Sequence, residues 1–407
     1  MSGTICLHNG TVLTGSSAME GCAVLVEDGF ISDVFSGKRF AQREFGPAAA
    51  VIDVGGAYIA PGFIDTHVHG TGGWGTEDSV FCGPGASDAE AAEAGERAAL
   101  EMSRALAAQG VTAFNPTLYP CEPRLMLRAV RATSAAMGKE EGARIMGLHL
   151  EGPFISPGKL GVQRPESVMP VDLGFMEKLW DASRGSIVNM TIAPELKGMR
   201  GLALYCAKKG IVLQAGHTDA KYENMLEGMQ VGILHSTHMF NAMSRLDHRN
   251  PNAAGAILIH SEMSCEIIAD GFHVHPGLLQ LLLRDKPIDK IVLVTDGLKP
   301  TEQRGGPLLA NGEEVAFLDG AFRRVSDGVI AGSGLTMMRG VRNLAAAGFS
   351  VAGAVRTASS NPARIMGYVM QGAIVPGKVA DITVFDGNFD IRLVMVGGKI
   401  MRGLGSP

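Results

Sequence analysis

The chain has 407 residues, of which 46% are hydrophobic and 19% charged, and its formal net charge is −5. That length is too great for one small core and suits a barrel of about 250 residues plus one further module. No basic stripe appears, which argues against nucleic acid as a partner.

The opening residues, Met-Ser-Gly-Thr-Ile-Cys, lack a basic stretch followed by an apolar run, so no signal peptide is expected. No apolar segment reaches about 18 residues without a charge or a break, so no membrane span is expected. Cys6, Cys22, Cys82, Cys121, Cys206 and Cys265 are scattered without a CxxC pair. Reduced thiols and a cytoplasmic location fit that pattern. The 54 glycines suit the strand-to-helix turns of a barrel.

Residues 4 to 58 read as short β segments. Ala23 to Ile31 reads as a hairpin turning at Asp28-Gly29. The C-terminal end repeats the style at Ala380 to Asp386, Ile391 to Val396 and Lys399-Ile400. One small β-sandwich domain assembled from both termini is expected, covering 1–58 and 368–407. Between them, over 59–367, strands are expected at Tyr58 to His69, Val111 to Leu118, Arg144 to Glu151, Ile187 to Glu195, Ile211 to His217, Gly232 to Phe240, Cys265 to Asp270 and Ile291 to Asp296. Ser87 and Glu90 form a capping box opening an Ala-rich helix that stops at Gly110. Leu202 to Lys209 and Leu278 to Arg284 read as covering helices. Alternating strands and helices imply a parallel sheet. Eight such units favour an α/β fold of the (β/α)8 TIM-barrel type over an open doubly wound sheet.

Barrel enzymes place their chemistry at the carboxyl ends of the strands, and metal-competent residues fall there. His67 and His69 are two apart, so in a strand they face one side. Glu151 closes the third apolar strand, where a carboxylate is costly to bury unless a cation meets it. His149 shares its face and either supports the site or packs in the core. His217 ends strand five and His238 strand six, and zinc and similar ions take such nitrogen and oxygen donors. His235 falls on the opposite face from His238 and reads as structural. Asp296 ends strand eight, where an aspartate beside an activated water is a natural general base.

The runs Pro61 to Gly70, His149 to Pro157, Ala215 to Ala220, Thr237 to Met243, Ala269 to Val274, Leu293 to Gly297, Asn361 to Ala363 and Pro376 to Asp381 span nearly the whole chain. On these the sequence resembles the amidohydrolase superfamily and, within it, the N-acetylglucosamine-6-phosphate deacetylases. Relatives of the dihydroorotase and urease type carry a carboxylated lysine on strand three. This chain has no lysine between Ile145 and Gly152.

The resemblance implies a metal-dependent hydrolase in which Glu151, His217 and His238 hold the main ion. His67 and His69 correspond to a second position, and Asp296 to the general base. The donors suit zinc first, with iron, manganese or cobalt also suited, at one or two ions per chain. The resemblance further implies that His273 orients an amino sugar phosphate, that Arg249 and the Asn241–Ala242 backbone hold its phosphate, and that the protein is a homodimer. Gln163 stands where the family has a sugar-contacting histidine, Asn250 and Asn252 alter the stretch around Arg249, and Gly297 replaces an alanine. Two rivals remain at this stage. One is a deacylase acting on N-acetylgalactosamine 6-phosphate or another N-acyl compound. The other is a non-catalytic binding module, against which the intact metal-competent set argues.

Overall fold

The computed structural model describes residues 3–83 and 85–403. Eight parallel strand positions follow one another around the barrel: Phe63–Val68, Val111–Leu118, Arg144–Ile145 continued by Leu148–Glu151, Ile187–Ile192, Val212–Ala215, His235–Ser236, Ser264–Ile267 and Ile291–Leu293. They are strands one to eight below. Each expected strand is present, and polar ends expected to be strand lie one to several residues past it. The expected first strand is divided. Tyr58–Pro61 pairs with Ile382–Phe385 in a different sheet, and Phe63–Val68 enters the barrel. Gly62 lies between, where a Cβ would fall 2.1 Å from Thr112 Oγ1. No larger residue passes that corner without displacing the threonine.

Strand eight closes on strand one. Val68 bridges Gly297 in parallel, Asp296 N–H donates to the His67 carbonyl at 2.9 Å, and His69 N–H donates to the Gly297 carbonyl at 2.9 Å. Asp65 reinforces the seam by accepting the Thr295 hydroxyl at 2.6 Å. Helices cover the outside. Asp88–Ala108 is capped by Ser87 and Glu90 as expected, and Met199–Lys209 and Pro276–Asp285 contain the two other expected helical runs.

The ends of the chain share one eight-stranded sheet. Ala18–Glu27 and Phe30–Ser36 form the expected hairpin, with Asp28 at φ 51° and Gly29 at φ 85°. Its alternation buries Leu7, Val24, Val26, Ile59, Val384 and Met395 together. A further antiparallel sheet was not expected: Leu309–Ala310, Glu313–Leu318, Ala321–Arg324 and Ile330–Ser333. Its turn signals are in the sequence at Asn311-Gly312 and Asp319-Gly320, all four residues at positive φ.

The terminal sheet is tied to the barrel by Asp381, which is 4% exposed and accepts Arg144 Nη2 at 2.9 Å and Nη1 at 3.1 Å, along with the Gly397 amide at 2.8 Å. Burial pushes the Asp381 carboxyl up, and Arg144 opposes that rise. Arg144→Ala is expected to cost roughly 3 kcal/mol, because it strands a buried carboxylate while the arginine it removes is only partly buried. Urea denaturation at pH 7 checks this, and an unchanged midpoint would show that the pair contributes nothing.

Candidate metal centre

The strand ends converge on one cavity, lined by residues that include His69, Glu151, Gln163, His217, His238 and Asp296. Glu151 is 2% exposed at its centre. Its Oε1 lies 3.2 Å from His217 Nε2, 3.2 Å from His238 Nε2 and 3.3 Å from His67 Nε2. Its Oε2 lies 3.4 Å from His69 Nε2. Asp296 Oδ1 stands 3.4 Å from both His67 Nε2 and His69 Nε2. Two triads result, Glu151 with His217 and His238, and Asp296 with His67 and His69. Within each, the donor atoms lie within 4.8 Å of one another.

The ring orientations suit metal binding. His67 Nδ1 is held by Glu266 Oε2 at 3.0 Å, His69 Nδ1 by the Thr117 carbonyl at 3.1 Å and His217 Nδ1 by the Lys159 carbonyl at 3.0 Å. Each acceptor keeps the proton on Nδ1 and turns the Nε2 lone pair inward, as ligating histidines require. His67 Nε2 is buried without a hydrogen-bond partner. Burial alone would lower the His67 pKa and raise that of Glu151. The charges of Asp296 and Glu266 instead hold His67 well above its ordinary value, and His217 holds Glu151 well below the carboxylate range. The same negative charges that act on His67 would favour a divalent cation among these donors. The donor set fits one such ion in each triad.

The backbone makes this convergence possible at some strain. His217, His238 and Asp296 sit at φ 46°, 21° and 48°, positive values that side chains with a Cβ rarely adopt. Gly216 precedes His217 because a Cβ there would meet Thr237 at 2.6 Å and Thr191 at 2.9 Å. The loop after strand three folds over the centre, with Ser156 N–H donating to the His217 carbonyl at 2.8 Å.

Among the substrate-side expectations, Asn241, Ala242, His273 and Gln163 line the cavity. His273 Nδ1 is taken by Asp270 at 2.6 Å. Gln163 makes a contact that its alignment with a sugar-binding histidine did not suggest. Its Nε2 donates to Glu151 Oε2 at 2.6 Å, while its Oε1 stays buried and unpaired. Arg249 is exposed on the loop after Ala242, outside the cavity walls. His149 is interior, bonded to Thr117 and Thr191 hydroxyls and edge-on to His67, and burial holds its pKa well below the ordinary value. His235 bonds Ser264 at 2.8 Å, away from the centre.

Sequence reasoning missed Glu266, although a carboxylate inside the run Cys265 to Ile268 was visible. It also missed Tyr119, stacked on His69 with centroids 3.8 Å apart.

The amidohydrolase family pattern matches residues 58–401. The chain belongs to the amidohydrolase family. This amidohydrolase is 29% identical to the N-acetylglucosamine-6-phosphate deacetylase of Bacillus subtilis (strain 168), covering 98% of each chain. It is 28% identical to the N-acetylgalactosamine-6-phosphate deacetylase of Escherichia coli O157:H7 over 84% of this chain and 87% of that one. Among solved structures it superposes with a TM-score of 0.86 on a Mycobacterium smegmatis N-acetyl-D-glucosamine-6-phosphate deacetylase in complex with N-acetyl-D-glucosamine-6-phosphate. That similarity is 27% in sequence and covers 98% of this chain and 99% of that one.

A divalent ion that binds only the folded centre stabilises the protein by mass action. At one hundred times its Kd the expected gain is about 2.7 kcal/mol. Thermal melts of chelator-treated protein with and without added zinc measure it, and coincident melts would show that the centre holds no ion.

Proposed function

We propose that this amidohydrolase deacetylates N-acetyl-D-glucosamine 6-phosphate, releasing acetate and D-glucosamine 6-phosphate. The observation that carries the reading is the placement of Asp296 3.4 Å from two inward-facing imidazoles, on the wall of the cavity that also exposes Glu151. The full-length similarity to the Bacillus subtilis deacetylase supports the substrate class.

A divalent cation, with zinc, iron, manganese and cobalt all suited to these donors, would supply Lewis-acid polarisation of the acetamide carbonyl and would lower the pKa of the attacking water. Glu151, His217 and His238 would hold it, with His67, His69 and Asp296 as a second position. Asp296 takes a proton from the water as the water oxygen adds to the carbonyl carbon. It returns that proton to the amide nitrogen as the C–N bond breaks. His273, fixed through Nδ1 by Asp270, presents Nε2 for a sugar hydroxyl. Asn241 and the Ala242 backbone stand on the same wall and suit the phosphate end. Arg249, exposed on the loop beyond Ala242, has a guanidinium whose fork of donors matches a phosphate dianion projecting out of the cavity.

The barrel is taken as 59–367 and the terminal module as 1–58 with 368–407. A homodimer is the assembly that the family resemblance supports, and the scattered free cysteines support a cytoplasmic location. Among the described residues no helix is long and apolar enough to cross a membrane.

Gln163 on the cavity wall favours a second reading, the galactosamine epimer, as does the Escherichia coli relative. Acetate release from the two phosphorylated epimers and from unphosphorylated N-acetylglucosamine separates the readings. Faster release from the galactosamine compound would replace the primary one. In Asp296→Asn, kcat is expected to fall by about 10²- to 10⁴-fold with the Glu151 triad still loaded, and wild-type turnover would remove the general base. Arg249→Ala is expected to raise KM for the phosphorylated sugar roughly 10-fold or more. An unchanged KM would place the phosphate elsewhere.

A further inference from the structure

Strand seven carries a carboxylate into the barrel interior, beyond the six residues of the two triads. Glu266 is fully buried, while its neighbours Cys265 and Ile267 pack in the large apolar core. Its Oε2 accepts His67 Nδ1 at 3.0 Å and the backbone N–H of His238 at 3.3 Å. Its Oε1 accepts Gln214 Nε2 at 2.8 Å. One carboxylate therefore touches a member of each triad, through the ring of His67 and the main chain of His238.

A chain of side-chain hydrogen bonds with a single direction leads to it. The Tyr368 hydroxyl donates to Asn115 Oδ1 at 2.8 Å, and Asn115 Nδ2 donates to Asn189 Oδ1 at 3.1 Å. Asn189 Nδ2 then donates to Gln214 Oε1 at 2.6 Å. Each amide has its oxygen occupied from the Tyr368 side, so its nitrogen faces the Glu266 side. Gln214 must present a donor, and Glu266 is the acceptor in every side-chain contact it makes. His67 is left with its proton on Nδ1 and its bare Nε2 toward Glu151 and Asp296.

We propose that Glu266 is a positioning residue of the metal centre. It sets the tautomer of His67 and, through the His238 amide, holds the left-handed backbone at the end of strand six. Both triads are thereby aimed before an ion binds. Carboxylate partners of ligating histidines act in this way in metal sites generally. This inference rests on the reading of the centre as a divalent-metal site.

Zinc-loaded wild-type protein and Glu266→Gln provide the test. A glutamine of the same shape turns an amide donor toward His67 or His238. Long-range proton–nitrogen NMR correlation of the wild-type imidazoles is expected to show His67 protonated on Nδ1. Competition with a chelator is expected to show zinc retention by Glu266→Gln weakened roughly 10- to 100-fold. Its kcat should fall in parallel, and Glu266→Asp should restore part of both. A wild-type His67 protonated on Nε2 overturns the proposal even if the variant fails to fold. Zinc retention and kcat equal to wild type in a folded Glu266→Gln also overturn it, leaving the deacetylase reading intact. Wild-type protein that binds no zinc defeats the metal reading itself.

Discussion

A carboxylate placed inside a barrel must be met by positive charge or by donors, because the desolvation of an isolated buried charge amounts to several kcal/mol. Glu151 sets that demand at the middle of the site. Four imidazole nitrogens and the Gln163 amide converge on its two oxygens, from strands one, five and six and from the loop after strand three. The arrangement is one that a divalent ion completes, since the rings facing Glu151 turn nitrogen atoms rather than carbon toward it. The positive φ values at His217, His238 and Asp296 are of a kind that costs about 1–3 kcal/mol each. They persist because each of the three residues is tied to its neighbours by several contacts.

The scaffold and the chemistry meet at the closure of the barrel. The main-chain bonds that join strand eight to strand one are made by His67, His69, Asp296 and Gly297. Closing the sheet therefore brings Asp296 within reach of the histidine pair. Away from this seam the terminal sheet meets the start of strand one at Gly62 and the start of strand three at Arg144, both through Asp381. The antiparallel insertion after strand eight ends at Ile330–Ser333, which forms part of the cavity wall. The strands and the residues just past their ends thus present the candidate ligands, and loops and the insertion line the rest of the cavity.

The six residues of the two triads were legible as candidates in the sequence because they lie at or just past the ends of strand-like runs, where a buried strand meets its polar rim. The capping box at Ser87 and the Asp28-Gly29 turn were legible for a similar reason, since their backbone geometry is dictated by residues a few positions apart. Gln163 and Glu266 were not. Gln163 bonds Glu151 from twelve residues downstream through the path of a loop. Glu266 reaches His67 across 199 residues, through a register that no local pattern encodes.

Local sequence alone determined the alternation of strands and helices, the polar strand ends and which residues stand as candidate ligands, because hydrophobic periodicity and turn chemistry act over a handful of residues. Tertiary structure alone decided that these residues form two triads sharing the space around one carboxylate. It also decided that Arg249 lies outside the cavity walls, and that a line of amides fills the barrel from Tyr368 to Glu266. Those outcomes follow from strand stagger and barrel closure, which set distances between residues far apart in the chain.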